Sequence, residues 1–110
     1  MNIQIFSRKK CFDSKKAERW FKERRIKIQL IDLVQKGLSP RELESIVRVC
    51  GMDELVNEKA EEYSLYKYLA GTDAKFEKLL ENPELIKTPI VRNGNKATIG
   101  YRPDIWNTWS

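Results

Sequence analysis

Residues 3–33 read IQIFSRKKCFDSKKAERWFKERRIKIQLIDL, and three changes of rhythm in this stretch decide the fold. Ile3, Gln4, Ile5 and Phe6 form a short β-prone apolar run that stops at a polar loop, as a buried first strand does. From Ser14 to Arg24 the apolar residues Ala17, Trp20 and Phe21 recur at helical spacing with charges between them, which predicts a first helix. Over residues 26–33, Ile26, Ile28 and Leu30 come in alternation, the signature of a second strand. A β-α-β unit results. Cys11 lies in the loop between its first strand and its helix.

Downstream the signals are mostly helical. Ser39-Pro40-Arg41-Glu42 is a helix start, with Ser39 as N-cap, Pro40 at the first helical position and Glu42 reaching back in a capping box. Leu43, Ile46, Val47 and Cys50 share one face of that helix, and Gly51 can end it in a left-handed conformation. Further helical segments are expected around Glu61–Leu69 and from Asp73, where Phe76, Leu79 and Leu80 form an apolar stripe, with Gly71 between the two segments. Asn82-Pro83 closes the helical region. Thr88-Pro89-Ile90-Val91-Arg92 then begins a strand with a proline at its start. Asn93-Gly94, the strongest hairpin dipeptide, joins it to Lys96–Gly100, and Pro103-Asp104 can start a terminal helix carrying Ile105, Trp106 and Trp109.

Composition bounds the chemistry. The chain has 110 residues, 41% of them hydrophobic and 34% charged, enough for one compact core and too few for two. It is therefore read as a single domain over residues 1–110. No apolar run is long enough to span a bilayer or to act as a secretory signal, which makes the cytoplasm the default compartment. With two cysteines, a reducing compartment keeps thiols rather than a disulfide framework. Histidine is absent, which removes the commonest metal ligand and the usual general base, so no metal site is expected. The net charge is +5, and Arg8, Lys9, Lys10, Lys15, Lys16, Arg19, Lys22, Arg24 and Arg25 crowd the first quarter of the chain. Such a cluster attracts anions, whether nucleic acid, an acidic protein surface or a small oxyanion. A merely solvated helix face is the plainer reading of the same charges.

The order of elements, with a cysteine after the first strand and a proline entering the third, lays out a thioredoxin-like α/β fold. Its mixed sheet is built from β-α-β and β-β-α halves around a helical insertion at about 39–82, and helices flank it. The residues carry a closer resemblance. Cys11-Phe12-Asp13-Ser14-Lys15-Lys16-Ala17-Glu18-Arg19-Trp20 resembles the C-x-x-[ST/C]-K-K/R-A-x-x-W/F opening of the arsenate reductase-like family, which includes Spx-type regulators. Ile31-Asp32-Leu33 is similar to the family's second-strand ending. Asn82-Pro83-Glu84-Leu85-Ile86-Lys87-Thr88-Pro89-Ile90-Val91 is similar to its N-P-x-L-I-x-R-P-I-V segment, and Gly100-Tyr101-Arg102-Pro103 to its G-F/Y-R-P ending. The resemblance spans essentially the whole chain. It implies a cis bond at Thr88-Pro89 that places backbone beside the thiol.

Cys11 is the candidate nucleophile. It lies at or just before a helix N-terminus, whose partial positive charge stabilises a thiolate, and Lys9, Lys10, Lys15 and Lys16 act in the same direction. The competing reading is an unreactive surface thiol. Ser14 stands where a dithiol enzyme has its second cysteine; its hydroxyl either donates to the thiolate or caps the helix. Cys50 is the only other thiol, and its apolar face favours a buried structural cysteine over a resolving one. By resemblance, the family's oxyanion is held by arginines through forked donors. Arg102 matches one of them, Lys59 stands at the position of another as a point charge, and Thr88 replaces the arginine of the R-P-I-V segment. Arg92 is near in sequence, with strand alternation leaving its direction open.

The resemblance thus implies a thiol oxidoreductase-like protein related to arsenate reductases. It would use Cys11 on a small oxyanion, or in a mixed disulfide with glutathione or another thiol co-substrate, with glutaredoxin as a further partner and no tightly bound cofactor. The alternative is a Spx-like regulator that docks the RNA polymerase alpha subunit without a C-x-x-C switch, which Ser14 abolishes. Direct binding of DNA or other nucleic acid ranks third and predicts affinity that falls steeply with salt. No membrane association is expected.

Overall fold

The computed structural model describes residues 2–109. The elements follow in the order β1 (Ile3–Ser7), α1 (Phe12–Glu23), β2 (Ile28–Asp32), α2 (Leu33–Lys36), α3 (Pro40–Cys50), α4 (Met52–Leu55), α5 (Tyr63–Tyr66), α6 (Thr72–Glu81), a 3-10 turn (Pro83–Leu85), β3 (Ile90–Asn93), β4 (Lys96–Ile99) and α7 (Pro103–Trp106). The four strands form one sheet in the order β2-β1-β3-β4. β1 runs parallel to β2 with Ile5 beside Leu30, and antiparallel to β3 with Ile5 beside Val91. This is the thioredoxin-like α/β arrangement expected from the sequence. Among the described residues no helix is long and apolar enough to cross a membrane.

Alternation in the strands sends side chains to two separate apolar layers. Ile3, Ile5 and Val91 point to one face, where they meet Ala17, Trp20 and Phe21 of α1 and Trp106 of α7. Phe6, Ile31 and Ile90 point to the other, under Leu43 and Ile46 of α3, Leu55, Tyr66, Leu79 and Leu85. The first layer is closed by aromatic rings. Trp106 is 2% exposed; its ring centroid lies 5.4 Å from Trp20 and 5.0 Å from Phe21. Its indole Nε1 donates to Thr98 Oγ1 at 2.7 Å, satisfying both buried polar groups.

Several boundaries differ from the sequence reading, each for a local reason. The first helix begins at Phe12 rather than Ser14, because Cys11 itself is the extended N-cap residue (φ −93°, ψ 111°). The second strand covers Ile28–Asp32 rather than residues 26–33. The Asp32 carboxylate accepts from the N–H groups of Val34 and Gln35 and turns the chain into α2. Its expected apolar face is only partly used: Ile26 and Ile28 are half-buried against the α1 layer while Leu30 is 49% exposed, and the fully buried residue of β2, Ile31, lies on the opposite face; β2 is an edge strand. The helical segment at Glu61–Leu69 contracts to Tyr63–Tyr66 flanked by hydrogen-bonded turns. The third strand starts at Ile90, and its hairpin turns through Gly94 and Asn95, with Asn93 paired to Lys96 and Gly94 at φ 61°. The capping box on α3 forms as read: Glu42 N–H donates to Ser39 Oγ at 3.2 Å, and Ser39 N–H to Glu42 Oε1 at 2.9 Å.

Candidate functional site

The loop after β1 presents the thiol. Lys10 adopts a left-handed conformation (φ 67°) and Cys11 N–H donates to Arg8 O at 3.2 Å. This turn delivers Cys11 to the head of α1, so its side chain occupies the place where a capping group would meet the unpaired N–H groups of the first helical turn. The loop is anchored from outside by Arg8, whose Nη2 donates to Pro83 O and Ile86 O, each at 3.0 Å.

Across from the thiol stands the segment before β3. The Thr88–Pro89 bond is cis. Thr88 Oγ1 donates to Cys11 Sγ at 3.1 Å, and Cys11 Sγ in turn lies 3.6 Å from Thr88 O as a weak donor. Partial burial opposes ionisation of Cys11, but it is outweighed by the hydroxyls of Ser14 and Thr88 and by the backbone N–H groups of Ser14 and Asp13, which together hold the thiol below its ordinary pKa. Donors aimed at a sulfur favour its anion because they interact more strongly with charge. Removing the threonine donor while keeping its shape is therefore expected to move the pH midpoint of Cys11 alkylation upward in Thr88→Val; an unchanged midpoint would show that Thr88 does not tune the thiol.

Of the two roles expected for Ser14, that of helix cap is not the one it takes. It is the third residue of α1 and 3% exposed, so it caps nothing. Its Oγ has no partner within hydrogen-bonding geometry among the described residues, yet it lies close enough to Cys11 to favour the thiolate.

A cavity of about 510 Å³ opens on Cys11. Arg8, Lys9, Lys10 and Lys87 line it with positive charge, Asp13 and Glu54 with negative charge, and Asn57 and Thr88 complete the polar wall. Lys59 and Arg102 are not brought to this cavity. Lys59 is exposed, its backbone N–H held by Asn57 Oδ1 at 3.1 Å. Arg102 is exposed and forked onto Asp104, Nε to Oδ1 at 3.3 Å and Nη2 to Oδ2 at 3.2 Å. Arg92 points to the α3 side, 3.9 Å from Glu42. Thr88 was expected beside the thiol only through its backbone, and Lys87 was not singled out by the sequence. The Thr88 side chain is a donor to the sulfur, and Lys87, its neighbour, supplies a cation to the cavity. Their one signal was position, directly before the proline of the third strand.

Cys50 has opposite character. It is half-buried against the α3 core layer, its Sγ donates to Ala97 O at 3.7 Å, and burial followed by the Glu54 carboxylate pushes its thiol up. It lines a different cavity from that of Cys11.

Comparisons with known proteins agree with this fold. A family model described as ArsC family matches residues 6–109. The arsenate reductase of Haemophilus influenzae is 29% identical over 110 residues, covering 94% of this chain and 95% of that protein. The global transcriptional regulator Spx 2 of Oceanobacillus iheyensis is 27% identical over 110 residues, covering 94% of this chain and 80% of that protein. Among solved structures, a putative arsenate reductase from Yersinia pestis superposes with a TM-score of 0.85 at 22% identity, covering 97% of this chain and 99% of that one.

Proposed function

The chain belongs to the ArsC family, and from that premise we propose that it is a thiol oxidoreductase-like protein acting through Cys11, with glutathione or another small thiol as co-substrate. The observation that carries this reading is the polarised sulfur: Cys11 at the head of α1, with Thr88 Oγ1 at 3.1 Å and a thiol pKa drawn below its ordinary value. A thiolate attacks one sulfur of a small disulfide, the S–S bond breaks, and the departing sulfur leaves as a thiolate. A second molecule of small thiol then displaces the product from Cys11 and restores it. The mixed charges of the cavity suit a co-substrate that carries both ammonium and carboxylate groups.

Oxyanion reduction is the narrower form of the proposal. Here Cys11 attacks the arsenic centre and an oxygen leaves as water; a glutathione or glutaredoxin thiolate then attacks the Cys11 sulfur, the arsenic–sulfur bond breaks with its electron pair passing to arsenic and arsenite leaves, and a second thiol reduces the mixed disulfide left on Cys11. The cations at hand for it are Arg8, Lys9, Lys10 and Lys87; the Arg8 Nη2 is taken up by the Pro83 and Ile86 carbonyls, and the three lysines attract an anion as point charges. Turnover of arsenate in the presence of glutathione and glutaredoxin, run beside Cys11→Ser, tests it. The expected result is activity in the parent chain and background in the variant; identical rates in both would remove the enzyme reading.

A second reading rests on the kinship with proteins named as global transcriptional regulators. On it, the exposed basic surface of α1, led by Phe12 at 80% exposure, docks RNA polymerase. Stoichiometric capture of the polymerase alpha subunit that persists in Cys11→Ser would favour this reading over the thiol-centred one.

A further inference from the structure

The sheet ends at β4, which has a strand neighbour on one side only. Its register tells which backbone groups are left over. Asn93 pairs with Lys96 across a two-residue turn and Val91 with Thr98, and Gly100 N–H donates to Pro89 O at 2.8 Å. Residues 96, 98 and 100 therefore turn their backbone groups toward β3. Antiparallel pairing alternates bonded and open positions, so Ala97 and Ile99 turn theirs outward. Ala97 O accepts from Cys50 Sγ at 3.7 Å. The N–H groups of Ala97 and Ile99 and the Ile99 carbonyl have no partner among the described residues.

A groove of about 290 Å³ lies along this edge, with Ala97 and Ile99 in its lining. Val49 and Cys50, at the end of α3, wall it from one face of the sheet, and Ile105 of α7 walls it from the other. The groove also leads somewhere. Ile99 and Glu54 line both it and the cavity at Cys11, which Gly100 lines as well, so the two depressions meet where β4 ends.

These features select an occupant. Two outward N–H groups and a carbonyl at strand spacing, between apolar walls, match an extended backbone, which can add to all three where a compact ion meets one. A second copy would bring its own α3 and α7 on both sides of the same edge, and two edges walled in this way obstruct each other. Continuity with the thiol cavity specifies what the segment carries. We propose that the thiol site takes a polypeptide disulfide, whose chain adds to β4 as an antiparallel strand in this groove and delivers its cysteine to Cys11. β4 runs toward Cys11, so an antiparallel segment runs away from it and its cysteine precedes the paired residues. The Cys11 thiolate attacks that cysteine's sulfur, a Cys11–peptide disulfide forms, and the original S–S bond breaks as its other sulfur leaves as a thiolate. Two molecules of small thiol then release the peptide and restore Cys11, leaving as their own disulfide. This rests on the thiol reading and names its substrate class.

The test compares two disulfides with the same leaving group: Ac-Cys-Thr-Val-Thr-Val-amide joined to glutathione, and glutathione disulfide. Mass spectrometry of quenched reactions on the full chain is expected to show Cys11 acquiring the peptide about tenfold faster than it acquires glutathione. Ala97→Pro removes only an outward N–H, at a position where an edge strand accepts proline, and Val49→Lys puts a charge on the groove wall at a site already 49% exposed. Each is expected to erase most of that advantage while leaving the rate with glutathione disulfide unchanged. If Ala97→Pro slows both reactions, Val49→Lys decides alone. In Cys11→Ser the reduced peptide is expected to shift the amides of Ala97 and Ile99 saturably. A peptide that reacts no faster than glutathione disulfide, or whose advantage survives in Val49→Lys, overturns the proposal and leaves the thiol reading standing, whereas a Cys11 inert to both disulfides overturns both. Concentration-dependent shifts of the same amides without peptide would assign the edge to a second copy and overturn it as well.

Discussion

Replacing Cys11 by serine is expected to abolish the fast thiol alkylation of the native chain at neutral pH, leaving only the slow reaction of Cys50. An ordinary cysteine is only a few per cent thiolate near pH 7, and the thiolate is the reacting species. Cys11 is held below the ordinary value by its donors while Cys50 is held above it by burial and Glu54. Cys11 is therefore expected to react faster than Cys50 near neutrality. Mass spectrometry of quenched iodoacetamide reactions reads this directly, and comparable rates at the two positions would defeat the thiolate assignment. The same asymmetry sets the sign of a stability effect. Cys11 ionises at lower pH folded than unfolded, so its contribution is present above the unfolded pKa and lost as pH falls through the folded one. Cys50 behaves inversely, contributing below the unfolded pKa and losing that contribution as pH rises through its raised folded value. Relative to Cys11→Ser, the parent chain should gain stability between neutral and mildly alkaline pH, measured as the denaturant midpoint.

The second large effect concerns α7. Trp106→Ala is expected to destabilise the fold by about 3–5 kcal/mol, the usual cost of emptying a large aromatic site, which is much of what a domain of this size has. Three aromatic neighbours lose their partner at once: Trp20, Phe21 and Tyr101, the last at 5.6 Å. Thr98 Oγ1, buried at 5% exposure, also loses the indole N–H. Urea unfolding of Trp106→Ala and Trp106→Phe separates these contributions, the second variant keeping a ring while removing the donor. A loss below about 1 kcal/mol in Trp106→Ala would show that α7 does not close the α1 layer.

What the sequence disclosed was local, and what it withheld was distant. The capping box of α3 lies within four residues, the β3–β4 hairpin is announced by Asn93-Gly94, and α1 is written in the spacing of Ala17, Trp20 and Phe21. Cys11 was legible as the candidate thiol because its setting, a loop before a helix among lysines, is also local. Its place at the head of the helix was read, while the helix start was set two residues late at Ser14, because cysteine is not among the usual capping residues. Leu30 misled because alternation tells that a strand has faces but not which neighbour covers them, and an edge strand leaves part of one face bare. The sulfur's partner across the cavity, Thr88, and the loop anchors of Arg8 come from 75 to 78 residues further on, where no spacing rule reaches. Lys59 and Arg102 were placed by motif position alone. In the fold the first is exposed beside Asn57 and the second is turned onto Asp104.

The 77-residue separation between Cys11 and Thr88 also has a meaning in time. At ribosomal speeds of roughly 5–20 residues per second, Cys11 precedes Thr88 by about 4–15 s. Through that interval the nascent chain carries a thiol without the hydroxyl that later faces it. β1 likewise waits for β3, its antiparallel neighbour in the middle of the sheet. Its full reactivity is therefore acquired at the end of synthesis, so that a stalled or shortened chain exposes a duller sulfur than the completed one.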